Sequence, residues 1–184
     1  YYIDKNNLDF NKLKGYIYNK KKNNVYPTLT FEIKNKSEIV KDSKLLDLGC
    51  GRGEFLSGFA NEGLDCYGVD FTNSALINCP NASIKQADIE NDGLPYPDNY
   101  FDVIFSKSVI EHFHNPDFLV KEIFRSLRPG GLAIIMVPSW EYNYKIYFED
   151  HTHRSPFMRS ALNDILMMHG FLKIKVDFFK QLPI

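Results

Sequence analysis

The stretch Lys44–Phe55, "KLLDLGCGRGEF", decides how the rest of the sequence is interpreted. A short apolar run, typical of a strand buried on both faces, leads into three glycines at alternate positions, Gly49, Gly51 and Gly53. Glycine loses more backbone freedom on folding than any other residue, so a cluster directly after a strand needs a reason. A glycine-rich turn from a strand into a helix lets a ligand approach the backbone where a Cβ would collide. The stretch therefore predicts a ligand-binding strand–loop–helix unit.

The residue after these glycines narrows the choice of ligand. Dinucleotide-binding folds place G-x-G-x-x-G here and seat a pyrophosphate on the helix N-terminus. In this chain the spacing is G-x-G-x-G, and Glu54 stands where the third glycine would be. Because an acid at the start of the helix opposes a bound phosphate, the loop favours a cofactor with a cationic head and no phosphate.

Strand-like and helix-like runs alternate from Leu45 onward. Six runs read as strands: "KLLDLG", "DCYGVDF", "ASIKQAD", "FDVIFS", "LAIIMVP" and "FLKIKVDFF". This alternation predicts an α/β fold with a doubly wound, mostly parallel, Rossmann-like sheet and helices on both faces. Ligands then bind at the carboxyl ends of the strands. We assign residues 44–184 to this domain and residues 1–43 to an N-terminal helical extension that acts as a lid.

Composition and charge exclude several classes of protein. The chain of 184 residues is 44% hydrophobic and 24% charged, and it contains no apolar run of membrane-spanning length and no segment resembling a signal peptide. Its three cysteines are odd in number and lack C-x-x-C spacing, so we expect reduced thiols and a cytoplasmic protein. Residues 1–44 hold ten lysines against five acidic residues, although the whole chain has a net charge of −1. We interpret that basic arm as a solvated extension and expect no nucleic-acid partner.

Five motifs in order resemble a known family. They are "LLDLGCGRG", "GVDF", "QADIE", "LPYPDNYFDVIFSKSVIEHF" and "LRPGGLAIIMVP". Together they make residues 44–179 similar to a class I S-adenosylmethionine-dependent methyltransferase of the small-molecule type 11/23 group. The resemblance implies S-adenosyl-L-methionine as cofactor and S-adenosyl-L-homocysteine as product. The family normally adds a seventh, antiparallel strand; none follows the sixth, so we expect it to be missing. The short step from Asp70 to Asp88 implies a reduced helix or absent residues.

The resemblance also assigns cofactor contacts. Asp47 is expected to face the methionine amine, Asp70 to accept from both ribose hydroxyls, and Asp88 to accept from the adenine amino group. An aspartate at a strand end is also a common N-cap of the next helix, and this reading stays open for each. The other expected contacts are the backbone of Gly49, Gly51 and Gly53, the ring of Phe71, the backbone of Ile89, and Ser106 beneath the methionine part.

Histidines are the candidates for acid–base chemistry. His112 ends "SVIEH", while His151 and His153 lie in "EDHTHRSP" before the last helix. Alternation along an extended "HTH" points the rings of His151 and His153 to the same side. We predict His151, as the nearer to the methyl group, to be the base, and His153 and His112 are the other candidates. The H-x-H pairs suggest a metal, and some related enzymes bind a divalent ion at E-x-x-E-H. Ser108 replaces the first glutamate here, so we expect no metal.

The acceptor is the least determined feature. The loop after the fifth strand is rich in aromatic residues, and Trp140, Tyr142 and Tyr144 are expected to contact substrate or else to cover the edge of the core. We predict methyl transfer to a hydroxyl of a small molecule, and the "DHTHRSP" block resembles family members that modify glycans and cell-surface precursors. The alternatives are an RNA 2′-O-methyltransferase using the basic arm and a cofactor-binding pseudo-enzyme. The sequence leaves the oligomeric state open.

Overall fold

A seven-stranded sheet organises the protein in its computed structural model, which describes residues 27–33 and 42–180. The strand order is β4-β3-β2-β5-β6-β1-β7. The strands are β1 (Pro27–Ile33), β2 (Lys44–Leu48), β3 (Asp65–Asp70), β4 (Ser83–Gln86), β5 (Phe101–Lys107), β6 (Leu127–Pro138) and β7 (Ile174–Lys180).

Five α-helices and three 3-10 turns connect these strands in the described ranges. The α-helices are α1 (Glu54–Asn61), α2 (Ile89–Asp92), α3 (Pro116–Ser126), α4 (Trp140–Asn143) and α5 (Arg159–Met168). The 3-10 turns are Ser74–Ile77, Ile110–His112 and Tyr147–Glu149.

The predicted doubly wound sheet is confirmed. Strands β4, β3, β2, β5 and β6 are parallel to their neighbours, and each face of the sheet has its own apolar core. Helix α1 places Leu56 and Phe59 against one face. Helices α3 and α5 cover the other, with Leu119, Ile123 and Leu162 fully or almost fully buried. Burial on both faces explains why the central strands read as continuous apolar runs.

The seventh strand is present, which corrects our expectation that it is missing. Strand β1 lies between β6 and β7 and is antiparallel to both, with Thr30 opposite Met136 on one side and Asp177 on the other. It comes from before the glycine loop, so a search after the sixth predicted strand could not find it. Residues 27–33 therefore belong to the sheet and not to a helical extension. The rest of the predicted lid falls mainly on residues outside the described ranges.

The link between β3 and β4 contains only the 3-10 turn Ser74–Ile77. Of the two explanations for the short step from Asp70 to Asp88, the structure shows the reduced helix. Apolar side chains in and beside this link are exposed: Phe71 by 65% and Ile77 by 84%.

Strand register places the functional residues. Leu48, at the end of β2, pairs with Val69 of β3 and with Ser106 of β5. Because these three parallel strands end at the same level, the segments that follow them meet at one edge of the sheet. The candidate site lies there.

Candidate active site

The glycine loop after β2 combines tight packing with one open position. Gly49, Gly51 and Gly53 have φ angles of 74°, 50° and 75°, in the left-handed region that favours glycine. A Cβ on Gly49 would lie 2.3 Å from Cγ2 of Val109, and one on Gly53 would lie 2.9 Å from the carbonyl oxygen of Ala75. A Cβ on Gly51 would meet nothing within 4 Å. Two of the glycines are thus required by neighbouring atoms, while Gly51 borders space that a ligand can enter.

Asp70 ties this loop to the end of β3. Its Oδ2 accepts a hydrogen bond from the Gly51 backbone N–H at 2.9 Å, and its Oδ1 accepts from the Thr72 N–H at 3.2 Å. The carboxylate is therefore fixed beside the open position. Ionised carboxylates accept several hydrogen bonds each, so Asp70 keeps capacity for ligand hydroxyls.

Asp47 is a buried acid with one carboxylate oxygen that lacks a hydrogen-bond partner among the described residues. It lies near the end of β2, is 2% exposed, and its Oδ2 has no hydrogen-bond partner in the described part of the chain. Burial, together with the negative charge of Asp70, raises the pKa of Asp47 to about 7, although Lys107 acts in the opposite direction. Such a carboxylate gains most from a ligand that brings a cation and hydrogen-bond donors.

The residues assigned to the adenine differ in their surroundings. Asp88 caps helix α2: its Oδ1 accepts from the Asn91 N–H at 3.3 Å and its Oδ2 from the Asn91 side-chain amide at 2.7 Å. Its structural role as an N-cap is thus present, and a role toward adenine stays a prediction. Ile89 is buried in the core, so only its backbone is available. Phe71 exposes its ring, and Ser106 is buried at the end of β5.

The structure groups two of the three candidate histidines with an acid that we did not select from the sequence. The rings of His112 and His153 lie 4.9 Å apart between centroids, and Glu111 joins them, with one potential ligand atom from each residue within 4.8 Å of the others. Glu111 is fully buried, and neither carboxylate oxygen has a hydrogen-bond partner of good geometry among the described residues. The sequence signal for this acid was its place in "VIEHF", between apolar residues.

Burial governs the protonation of this cluster. It raises the pKa of Glu111 to about 8, although Lys107 and Ser108 act in the opposite direction. Burial also lowers the pKa of His112, and the nearby charge of His153 has the same effect. Since Lys107 influences both Asp47 and Glu111 electrostatically, the cluster lies on the same side of the domain as the cofactor loop.

His151 lies apart from the cluster. The segment turns instead of continuing as an extended strand, because Asp150 accepts from the Thr152 N–H at 2.9 Å and from the His153 N–H at 3.2 Å. His151 is exposed and its ring makes no hydrogen bond to another described residue. The expectation that both rings share one side fails at this turn, and the role of His151 as base stays an untested prediction.

The loop after β6 contains both buried and exposed aromatic residues. Trp140 packs edge-on against Tyr147 and Phe148, with centroid distances of 5.3 and 5.7 Å, and Tyr147 is 2% exposed. Tyr142 and Tyr144 are 56% and 55% exposed. The buried members cover the core edge, whereas the two tyrosines offer accessible rings.

A doubly wound sheet with one inserted antiparallel strand, a glycine loop after the central strand and an acid at the end of the next strand defines the class I methyltransferase architecture. Residues 46–135 match the family described as "Methyltransferase domain". An uncharacterized methyltransferase of Mycobacterium sp. strain KMS is 34% identical over 98 residues, which cover 52% of this chain and 39% of that protein. The chain thus matches less than half the length of this curated relative.

Solved structures agree with this assignment. A SAM-dependent methyltransferase from Archaeoglobus fulgidus has 27% identity and a TM-score of 0.66, covering 74% of this chain and 64% of its own. Phosphoethanolamine N-methyltransferase 2 of Haemonchus contortus, solved with S-adenosyl-L-methionine, has 23% identity and a TM-score of 0.65, covering 77% of this chain and 36% of its own. Residues 46–135 thus match the methyltransferase family, and the described residues have the fold of class I S-adenosylmethionine-dependent methyltransferases. In residues 27–33 and 42–180, no helix has the length and apolar character to cross a membrane.

Proposed function

We propose that this domain transfers the methyl group of S-adenosyl-L-methionine to a hydroxyl group of a small molecule. The observation that carries the cofactor assignment is the placement of two acids at the carboxyl ends of the neighbouring strands β3 and β2: Asp70 is held against Gly51, and Oδ2 of the buried Asp47 has no hydrogen-bond partner among the described residues. The Asp70 carboxylate can accept hydrogen bonds from both hydroxyls of a ribose, and the Asp47 carboxylate suits an α-ammonium group. A dinucleotide would instead bring phosphates toward Glu54, at the start of α1.

In this proposal each residue of the cofactor site has a separate role. The bound cofactor supplies an activated methyl group on a sulfonium. Asp70 orients the ribose, Asp47 holds the ammonium end, and the open side of Gly51 admits the chain between them. Phe71 offers a face to the adenine. Since in-line methyl transfer requires alignment and exclusion of water, fixed carboxylates at both ends of the cofactor account for most of what the protein must do.

The acceptor side is assigned to the loop after β6 and to the polar cluster of Glu111, His112 and His153. Transfer to a hydroxyl requires that its proton leave, and this cluster groups one carboxyl and two imidazoles. The turn that carries Glu111 and His112 follows Val109, which packs against Gly49 of the glycine loop. The exposed rings of Tyr142 and Tyr144 suit stacking on a sugar or a phenol. A glycan or cell-surface precursor is the acceptor class that we favour.

The test is a transfer assay with labelled S-adenosyl-L-methionine and a panel of nucleotide sugars, phenols and RNA. Methylation of a sugar or phenol hydroxyl supports the proposal, and methylation confined to RNA overturns its acceptor class. Cofactor binding is measured separately as protection against heat by S-adenosyl-L-homocysteine, with NAD as control. Protection without transfer to any acceptor favours a pseudo-enzyme, and equal protection by NAD contradicts the cofactor assignment.

A further inference from the structure

The cluster of Glu111, His112 and His153 has a composition and geometry that acid–base chemistry alone does not require. We propose that it is a binding site for one divalent transition-metal ion, held by one carboxylate oxygen and two imidazole nitrogens. The three candidate ligand atoms lie within 4.8 Å of one another. This inference is independent of the proposed function, because it concerns binding and is tested without turnover.

Glu111 supplies the first argument. A fully buried carboxylate normally has hydrogen-bond donors on both oxygens, and an exception requires an explanation such as a missing ion. The Ser108 side chain lies close enough to lower the pKa of Glu111, but neither carboxylate oxygen has a hydrogen-bond partner of good geometry in the described ranges. The nearest polar side chains in the cluster are two imidazoles, which in their neutral form bind metals better than they compensate a charge.

The hydrogen bonds of the histidines supply the second argument. Nδ1 of His153 lies 2.7 Å from the carbonyl oxygen of Tyr147. A carbonyl only accepts, so Nδ1 carries the proton and Nε2 presents its lone pair. Metal-binding histidines are typically oriented in this way, by a backbone carbonyl or carboxylate on the second nitrogen.

A chain of two hydrogen bonds orients His112 in a similar way. The Thr152 hydroxyl donates to Oδ1 of Asp150 at 2.5 Å and lies 2.9 Å from Nδ1 of His112. Because the hydroxyl proton is used toward Asp150, the histidine donates from Nδ1 and keeps the lone pair on Nε2. Oδ2 of Asp150 also lies 3.9 Å from Nε2 of His153, which adds negative charge beside the site.

The backbone holds the two ligand-bearing segments together. The N–H groups of Arg154 and Ser155 both donate to the Glu111 carbonyl oxygen, at 2.7 and 3.0 Å. The segment that carries His153 is thereby fixed against the turn that carries Glu111 and His112. A site assembled before the ion arrives loses little freedom on binding.

Two imidazoles and one carboxylate select among metals. This ligand set suits zinc, and with open positions it also suits ferrous iron, whereas calcium and magnesium prefer all-oxygen sites. Three protein ligands leave at least one coordination position for water or another small ligand. Our sequence expectation of no metal rested on Ser108 alone, and it did not consider a ligand from the distant segment at His153.

The experiment uses the untagged full chain, stripped with a chelator and titrated with Zn²⁺ by calorimetry, and with Co²⁺ by visible absorption. We expect one equivalent of either ion and Co²⁺ bands typical of four or five ligands. Glu111→Gln and His153→Gln each remove one ligand with little change in volume, and each should weaken binding more than 100-fold. Thr152→Val removes only the orienting hydroxyl and should weaken it about 10- to 100-fold.

His114→Gln is the matched control, because that histidine is 72% exposed and pairs with Glu90 outside the cluster. It should bind the ion like the unaltered protein. Absence of stoichiometric binding overturns the proposal, as does binding that survives both Glu111→Gln and His153→Gln. Loss of binding in His114→Gln would place the ion at another site and would also overturn it. Thermal melting of each variant without metal shows whether it is folded, and the Co²⁺ spectrum of the unaltered protein tests the ligand number even where a variant fails to fold.

Discussion

The buried charge of the Asp47 carboxylate should make the ligand-free domain less stable than it would be with a neutral side chain. Burial raises the pKa of Asp47 from 3.8 to about 7 in the folded protein. Between these values the folded state keeps a proton that the unfolded state has lost. The free energy of unfolding therefore falls as pH rises through this window, and the full cost is present above about pH 7.

The substitution Asp47→Asn removes this cost. A pKa difference of about 3 units corresponds to about 4 kcal/mol above pH 7, at about 1.36 kcal/mol per unit. At pH 5 less than half of this cost is present, because Asp47 is then protonated in the folded state. For a chain of this size, the melting temperature should rise by about 8–16 °C at pH 8 and by about 3–6 °C at pH 5.

The same substitution should damage cofactor binding. A hydrogen bond to a charged group contributes about 1.5–3 kcal/mol, so loss of the carboxylate should weaken S-adenosyl-L-homocysteine about 10- to 150-fold. Stability is measured by calorimetric melting at both pH values, and affinity by titration. Glu62→Gln, at an exposed acid, is the control and should change neither quantity. A stability gain that is equal at pH 5 and pH 8, or a loss at both, would refute the account of Asp47.

Three further substitutions test the loop and the sheet. Asp70→Ala should abolish most protection by S-adenosyl-L-homocysteine in thermal melting, because the anchor of Gly51 and the ribose acceptor are lost together; unchanged protection contradicts this role. Gly49→Ala should lower the melting temperature, since its Cβ would collide with Val109, whereas Gly51→Ala should mainly weaken cofactor binding in titration. Thr30→Pro should destabilise the domain by about 3 kcal/mol or more in denaturant unfolding, because an interior strand cannot accommodate proline; a smaller loss would argue against the placement of β1.

The fold of residues 44–178 was predictable because its signals are local. Continuous apolar runs identify strands buried on both faces, and the glycine spacing identifies a loop whose φ angles only glycine adopts easily. Strand β1 was not predictable in the same way. Its segment "PTLTFEI" alternates as a strand should, but its place between β6 and β7 depends on pairing with residues more than a hundred positions away.

In the candidate site too, the residues marked by local sequence patterns were predicted, and those that depend on the fold were not. Asp47 and Asp70 were found because they end strands in a recognised pattern. Glu111 was missed because a charged residue is normally exposed, and the apolar neighbours in "VIEHF" were not weighed against that expectation. His151 was preferred over His153 from an extended geometry, and the local hydrogen bonds of Asp150 produce a turn instead. Which ring faces inward depends on that turn.

The position of β1 has a consequence for synthesis of the chain. Residues 27–33 leave the ribosome before both of their neighbours, and β7 is made last among the described elements. Strand β1 has two unpaired edges until β6 is made and one until β7 is made, and such edges invite pairing with other chains. Contacts between distant segments also slow folding. The sheet therefore closes only after synthesis has passed residue 180, so nascent chains of this domain should depend more on protection by chaperones than those of a domain whose inserted strand is made last.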